Sequence, residues 1–476
     1  MTRRTKIVAT IGPSSRSPEI LEQLVKAGMD CARLNFSHGT HRQHGEVIHC
    51  LRSLSSRHGR PLSILQDLGG GKLRLGRFKG HHRLQPGDEI ALSSDKFISE
   101  KMSFPFPYPE ILAALKINDQ VYISDGSICL EVVRQLKDKV LMRVARGGVI
   151  SSSRGVNILG LSLESNILTE PMKAAIRFGI ENEVDWLAVS FVRSAQDLTE
   201  IRSYVRDQGG SLPLMAKLER GEALLNMDSI LDGADAVMVA RGDLGIETPM
   251  ARLPLVQTEI VRAASIKGVT SVIATQMLSS MVVAPVPTRA EVTDVSKAVL
   301  DGCDAILLSD ETAIGQNPVE AVKVAVSIIE ESETAYPFNT ELPSNDRTQS
   351  IAAAGTNLAR DLGSQIIVLT RTGRAAQEVS RFRPKERILV LCHDESMQRR
   401  LCLVWGLTPL GVIPVEKDIP KLVSMVVNLG VKKELISTDD VVTIVHGFLT
   451  GVAGTTNTLQ VLDLKEYLPA IKSMDS

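Results

Sequence analysis

The chain has almost no net charge: 54 Lys and Arg stand against 55 Asp and Glu, for a formal charge of -1. That balance gives no overall attraction to nucleic acid or anionic lipid, so any anion site must be local. Cysteine is sparse, with six in 476 residues. Cys31, Cys50, Cys129, Cys303, Cys392 and Cys402 are scattered, form no C-x-x-C and sit mostly in apolar contexts. A disulfide framework and a zinc site are thereby excluded, and free thiols in a reducing compartment are expected. No hydrophobic run reaches membrane length and the amino terminus carries no cleavable signal, which predicts a cytoplasmic protein with no membrane partner. There is no internal repeat and no low-complexity tract.

What is present is a rhythm. Eight short apolar runs end in polar side chains: KIVATIG (6–12), CARLNFS (31–37), LSILQDL (62–68), WLAVSFV (186–192), LPLMAKLE (212–219), AVMVARGD (236–243), VTSVIATQM (269–277) and AILLSDET (305–312). Apart from one gap their starts lie roughly 24 to 36 residues apart, the strand-plus-helix repeat of a (β/α)8 TIM barrel. Helix-like stretches such as PEILEQLVKAG, with Gly28 as a C-terminal cap, and PVEAVKVAVSIIEESE lie between and after them. The gap from about residue 69 to 185 is too long for a crossover and must hold an inserted domain. Within it LQPGDEIALSS, DQVYISDGSICLEVV and KVLMRVARGG alternate apolar with polar residues and break at Gly-containing turns, as expected for a small β-barrel or sandwich acting as a lid. After Tyr336-Pro337 a polar linker leads to alternating helix and strand, predicting a doubly wound α/β domain. The expected division is 1–69 and 167–337 for the barrel, 70–166 for the lid and 338–476 for the C-terminal domain.

The chemistry-bearing residues sit at the ends of the runs, where barrels place active sites. Lys217 and Glu219 close one run, Arg241 and Asp243 another, and residues two apart on a strand share a face. Two carboxylates beside an ammonium suit a divalent metal over an anionic substrate, with Lys217 placed where phosphoryl charge develops. Structural ion pairs at a barrel rim, with Lys217 neutralising Glu219, are the alternative. Gly242 lets the backbone present N–H groups to a small carboxylate, or forms a plain tight turn. The Thr275 hydroxyl points to the same mouth and either binds that carboxylate, relays a proton or bonds to backbone. Arg33, Asn35 and Ser37 alternate along the second run and Asp67 ends the third, a set able to grip phosphate or a small cation. His38 reads as a turn residue. In the C-terminal domain Thr370, Thr372, Gly373 and Arg374 form a strand-to-helix turn suited to a phosphate, or a simple helix cap with a solvated Arg. The basic run Arg381, Arg383, Lys385 and Arg387 reads as a solvated face.

In order along the chain, TKIVATIGPSS, ARLNFSHGTH, the Asp67 strand, RGVNILG, EVDWLAVSFVR, AKLER, VMVARGDLGIE, IATQMLSSM, PTRAEVTDV, LLSDETAIG and VAGTTNTLQV match motifs of one family. Over nearly its whole length the chain resembles pyruvate kinase. The resemblance implies a barrel, a mobile lid, a C-terminal allosteric domain and a homotetramer. It implies transfer of the phosphoryl group of phosphoenolpyruvate to ADP, giving ATP and pyruvate. By motif position, Glu219 and Asp243 correspond to the ligands of Mg2+ or Mn2+, and Lys217 and Arg33 to the groups that hold the phosphoryl in flight. The amides of Gly242 and Asp243, with Thr275, correspond to the carboxylate seat and proton relay. Asn35, Ser37, Asp67 and the Leu68 carbonyl resemble a monovalent-cation site, while Asn35, His38 and Arg74 lie near the nucleotide. The turn holding Thr370, Thr372, Gly373 and Arg374 resembles an effector loop for a phosphorylated metabolite.

The departures carry information. Many members read D-T-K-G-P-E-I-R where this chain has DLGGGKLR (67–74), which puts Lys72 at an acidic position. Members with Lys there typically do not need K+, and a second cation beside a tethered ammonium would meet like-charge repulsion. Potassium independence is expected. Gly69 and Gly71 replace bulkier residues, so a looser lid hinge is expected too. A metal-dependent lyase on an enolate-binding barrel would share Glu219, Asp243 and the carboxylate turn, but not Lys217 over a phosphate. A weakly catalytic sensor of sugar phosphates would need only the C-terminal turn.

Overall fold

The computed structural model describes residues 3–70, 73–95, 102–124, 126–159, 167–448 and 451–474. Lys72 and Gly71 lie outside the described residues. All eight apolar runs form strands: Lys6–Thr10, Cys31–Asn35, Ser63–Leu68, Trp186–Val189, Leu214–Leu218, Ala236–Ala240, Thr270–Ala274 and Ala305–Leu308. They close into a parallel barrel, and the third pairs directly with the fourth, Leu65 opposite Trp186 and Leu68 opposite Val189, across the insertion. Helices begin and end where the sequence supplies caps. In Pro18–Ala27, Ser17 accepts the Ile20 N–H, Pro18 opens the first turn, and Gly28 closes the last at φ 118°.

The strands are apolar on both faces because each is covered twice, by helices outside and by neighbouring side chains inside. Val8, Leu65, Trp186, Met215, Met238 and Val272 fill the interior, and Leu403 from the C-terminal domain joins them as a plug. Several runs outlast their strands. Arg241 and Asp243, expected to share a strand face, stand instead in the first turn of helix Arg241–Glu247. A helical turn separates two residues spaced by two by about 200°, so they diverge.

The insertion folds around its own core, which includes Phe104, Phe106, Leu130 and Met142. Its strands make a six-stranded sheet and a two-stranded ribbon, with an antiparallel hairpin from Gln120–Ile123 to Ile128–Gln135 across the Asp-Gly break. The C-terminal domain is a five-stranded sheet, parallel except for the edge strand Thr456–Asp463, with a separate apolar cluster on each face. Among the described residues no helix is long and apolar enough to cross a membrane.

The basic run at 381–387 corrects the expectation of a solvated face. Arg381 and Arg383 are only 2% and 3% exposed. Arg381 reaches the Ile266 and Pro343 carbonyls, each at 2.6 Å, and pairs with Glu378 at 2.9 Å. Arg383 donates to the Gly302 carbonyl at 2.9 Å, pairs with Asp304 at 3.2 Å and lies over the Trp405 ring. Buried carbonyls at the seam between barrel and C-terminal domain need donors, and a guanidinium reaches several at once. Lys385 is exposed and Arg387 half-buried.

Candidate active site at the barrel mouth

A cavity of about 830 Å³ opens at the C-terminal ends of the barrel strands. Arg33, Asn35, Ser37, His38, Asp67, Arg74, Lys217, Glu219, Asp243 and Thr275 all line it. Residues from five separate strand ends and from the start of the insertion therefore meet in one place. Arg241 is absent from the lining. Its guanidinium turns away to the Thr275 carbonyl, at 2.6 and 3.2 Å, and to Asp294 at 2.7 Å.

The buried centre of the site is a charge network. Lys217 Nζ lies 2.9 Å from Glu219 Oε1 and 3.2 Å from Asp67 Oδ1, and donates to Ser190 Oγ at 2.8 Å. Ser190 in turn donates to the Leu68 carbonyl at 3.0 Å. The other Asp67 oxygen is held by Arg33 Nε at 2.7 Å, and Arg33 Nη1 donates to Thr10 Oγ1 at 2.9 Å. Burial pulls the Lys217 ammonium toward neutrality, but Asp67 and Glu219 outweigh it and hold its pKa above the ordinary lysine value. Burial also pushes Asp67 up, but Lys217 and Arg33 overcome it and keep that carboxyl below the usual range. Lys217 thus stays charged although it is largely buried.

Glu219 goes the other way. Burial pushes its carboxyl up, Lys217 pulls it back, and Asp243 pushes it up again, leaving it above the ordinary value. A carboxyl whose ionisation a neighbouring carboxylate opposes is relieved by a divalent cation between the two, and carboxylate oxygens suit Mg2+ or Mn2+. Among the described residues no group of three or more His, Cys, Asp or Glu is placed to hold a metal ion. A divalent ion held by these two carboxylates would need its remaining ligands from substrate oxygens and water. Asn157, from the insertion, donates to Asp243 Oδ1 at 3.4 Å, so the insertion touches the mouth at this acid.

Around that centre, the Gly242 N–H donates to Thr275 Oγ1 at 2.9 Å, and Thr275 and Gln276 both adopt left-handed backbone, φ 71° and 56°. Asn35 Oδ1 accepts the Ser37 N–H at 3.1 Å, and the His38 carbonyl accepts from His44 at 2.9 Å, leaving the His38 ring exposed. Arg74 donates to the Ser153 carbonyl at 3.1 Å.

Sequence reasoning missed Ser190 and the Phe191 amide, which donates to Glu219 Oε2 at 2.8 Å from a residue at φ 57°. The only signal was the polar end of WLAVSFV. Gly70 belongs with them, because a Cβ there would lie 2.5 Å from the Phe191 ring and 2.9 Å from the Ser190 Cβ. In the C-terminal domain Thr370, Thr372 and Arg374 line a separate cavity of about 50 Å³, and Gly373 caps the following helix at φ 83° with its N–H on Thr370 Oγ1. Arg371, passed over in the sequence, also lines it and bonds to the Gly451 carbonyl, while Arg374 pairs with Asp346.

Comparison with known proteins meets this geometry. Residues 2–322 match the family model described as "Pyruvate kinase, barrel domain", and residues 349–462 match "Pyruvate kinase, alpha/beta domain". The chain is 39% identical to pyruvate kinase 2 of Synechocystis sp., over 98% of this chain and 80% of that protein. It is 39% identical to a pyruvate kinase of Agrobacterium vitis, covering 97% of each, and 35% identical to that of Thermococcus litoralis, over 97% of this chain and 99% of the relative. With a closed parallel barrel, a sheet-rich insertion, a C-terminal α/β domain and both family models matched in order, the chain belongs to the pyruvate kinase family of phosphotransferases.

Proposed function

We propose that the barrel mouth transfers the phosphoryl group of phosphoenolpyruvate to ADP, with Lys217, Arg33 and Thr275 in the reaction and Glu219 and Asp243 holding Mg2+ or Mn2+. The bridging P–O bond of phosphoenolpyruvate breaks, a P–O bond to the terminal ADP phosphate forms, and the enolate left behind takes a proton at its methylene carbon. The observation that carries the reading is the buried ammonium of Lys217, fixed by Asp67, Glu219 and Ser190 on the wall of the cavity that Arg33 also lines. Phosphoryl transfer is catalysed mainly by positioning and by fixed positive charge around the moving group. Arg33 and Lys217 share the Asp67 carboxylate, so both cations are locked before substrate arrives. A divalent ion held by Glu219 and Asp243 would supply further positive charge to the phosphoryl group. Thr275, with the Gly242 and Asp243 amides, seats the substrate carboxylate and lies on the path of the proton. Asn35, His38 and Arg74 face the nucleotide.

Lys72 supplies the positive charge that a K+ ion would otherwise bring to Asn35, Ser37, Asp67 and the Leu68 carbonyl. Two of those groups are already occupied, Asp67 by two cations and the Leu68 carbonyl by Ser190. On this reading the reaction runs without K+. The Thr370–Arg374 turn takes the phosphate of an activating metabolite. A homotetramer is expected in the cytoplasm, and the exposed side chains of Met250, Leu255, Val283 and Val286 supply apolar surface for subunit contacts. The units are 1–69 with 167–337, 70–166 and 338–476. A lactate-dehydrogenase-coupled assay with phosphoenolpyruvate, ADP and Mg2+, in KCl or choline chloride and with or without sugar phosphates, tests the whole reading. Pyruvate released without ATP would replace it with a lyase or phosphatase.

A further inference from the structure

The fourth barrel strand, Trp186–Val189, leaves the barrel through Ser190 and Phe191, and Phe191 adopts left-handed backbone at φ 57°. A bulky residue is costly there and persists only where its surroundings hold it. They do so on both sides. Before the turn Ser190 Oγ donates to the Leu68 carbonyl at 3.0 Å; after it Val192 is fully buried, the Arg193 N–H donates to Asp197 Oδ2 at 2.8 Å, and Asn226 donates to the Arg193 carbonyl at 2.9 Å. The outcome is an amide aimed at Glu219. Glu219 Oε2 accepts the Phe191 N–H at 2.8 Å while Oε1 meets Lys217 Nζ at 2.9 Å, so each oxygen has its own donor and the plane of the carboxylate is fixed.

The Phe191 ring lines the barrel-mouth cavity beside Gly70, at the root of the insertion. A Cβ on Gly70 would lie 2.5 Å from Cδ2 of that ring and 2.9 Å from the Ser190 Cβ. Gly70 is not left-handed, so its backbone would accept a side chain; the contact with the turn is what forbids one. Its neighbour Gly69 differs. A Cβ there would meet Ser37, with Oγ at 3.1 Å, and its three nearest atoms all belong to that residue rather than to the turn.

We propose that Gly70 and Phe191 act together as positioning residues for Glu219: the Phe191 ring seats on the bare backbone of the lid root, that seat holds the left-handed turn, and the amide of the turn orients the carboxylate. Glycine at 70 therefore serves packing, apart from any freedom it gives the hinge. The inference rests on the reading of Glu219 as a ligand of Mg2+ or Mn2+. Hydrogen-bond partners of a ligating carboxylate fix its orientation, and losing one costs about 10- to 100-fold in metal affinity. The role is exerted through Glu219 and not by contact with the reacting atoms.

The experiment titrates Mn2+ into the full-length protein without substrate and follows the free ion by electron paramagnetic resonance. Gly70→Ala should raise the Kd about tenfold or more, whereas Gly69→Ala, which adds the same methyl group one residue earlier, should leave it close to the wild type. Adding Phe191→Ala to Gly70→Ala removes the nearer clash and should restore part of the affinity, where two independent injuries would add. Replacing Phe191 with phenyllactate, its α-hydroxy analogue, exchanges the N–H for an ester oxygen and keeps the ring; the Kd should again rise about tenfold or more. That replacement tests the amide even if Gly70→Ala does not fold. A Kd unmoved by Gly70→Ala or by the ester, equal shifts in Gly69→Ala and Gly70→Ala, or a double variant weaker than Gly70→Ala would overturn the proposal. Glu219→Gln binding Mn2+ as tightly as the wild type would instead remove the metal assignment beneath it, and the proposal with it.

Discussion

Arg241 does not enter the active-site cavity, yet Arg241→Lys should cripple the enzyme. The side chain is 7% exposed and grips the Thr275 carbonyl with two N–H groups, at 2.6 and 3.2 Å, while its other arm holds Asp294 at 2.7 Å. Thr275 and Gln276 are left-handed in succession, and Thr275 is β-branched. Non-glycine residues in that region cost about 1–3 kcal/mol each, so the turn carries about 2–6 kcal/mol of strain that neighbours must offset. The guanidinium fork and the Gly242 N–H on Thr275 Oγ1 are the visible restraints. Lysine keeps the charge and loses the fork. Losing one hydrogen bond from a charged donor costs about 1.5–3 kcal/mol, which lowers the population of the strained turn about 10- to 100-fold. The kcat for phosphoryl transfer and the enzyme-catalysed exchange of pyruvate methyl protons should fall together by that factor, with the KM for ADP unchanged. Because Arg241 works through Thr275, the double variant with Thr275→Ala should be no slower than Thr275→Ala alone. Additive losses, or intact proton exchange in Arg241→Lys, would show that Arg241 does not position Thr275.

Lys217→Met should lower kcat by about 10²-fold or more while phosphoenolpyruvate binding, followed by equilibrium titration, changes little, since the ammonium acts on charge that develops in transit. Glu219 has a folded-state pKa above its ordinary 4.5, so its favourable contribution is complete below pH 4.5 and is lost as pH rises through the folded value. Glu219→Gln, a neutral isostere, should therefore gain melting temperature relative to the wild type as pH rises from 4.5 to 8 without divalent ions, and should lose the stabilisation that Mn2+ gives the wild type. Lys72→Glu should create activation by KCl over choline chloride in the coupled assay, and the wild type should show none. Leu403 is fully buried in the barrel interior, and Leu403→Ala should cost about 2–5 kcal/mol, read as a shift in the urea midpoint with unchanged slope.

The barrel was legible because its strands are covered on both faces, which writes each as an unbroken apolar run. The run does not mark where the ladder ends. Polar residues at a strand's exit are compatible with one more strand residue or with the first turn of a helix, and at Arg241 and Asp243 the helix wins. Lys217 and Glu219 remained together because the turn follows Glu219 rather than dividing the pair. Ser190 and Phe191 escaped notice because their meaning depends on Lys217 and Glu219 of the adjacent strand, a relation absent from local sequence. Arg381 and Arg383 misled for a similar reason. Charge alone suggests solvent, whereas their partners are carbonyls and acids from segments up to 115 residues away.

The two ends of the barrel solve opposite problems, and the second solution makes the first possible. At the mouth, Asp67, Lys217, Arg33 and Glu219 are held in a largely buried network whose members cannot relax without uncovering one another. Such a network needs strands that do not slide. At the floor, the chain supplies that rigidity from its C-terminal domain: Leu403 fills the interior, Lys6 donates to the Leu407 carbonyl at 2.8 Å, Arg399 holds Asp185 at 2.9 Å, and Asp304 accepts the Trp405 N–H at 3.1 Å. Asp185 also accepts the Ile64 N–H at 2.8 Å, and Asp304 that of Ser271 at 2.8 Å, so both acids tie barrel backbone to the neighbouring domain. A displacement of the C-terminal domain would therefore pull first on the first, third, fourth, seventh and eighth strands. The third carries Asp67 at its far end, and the seventh leads directly into Thr275.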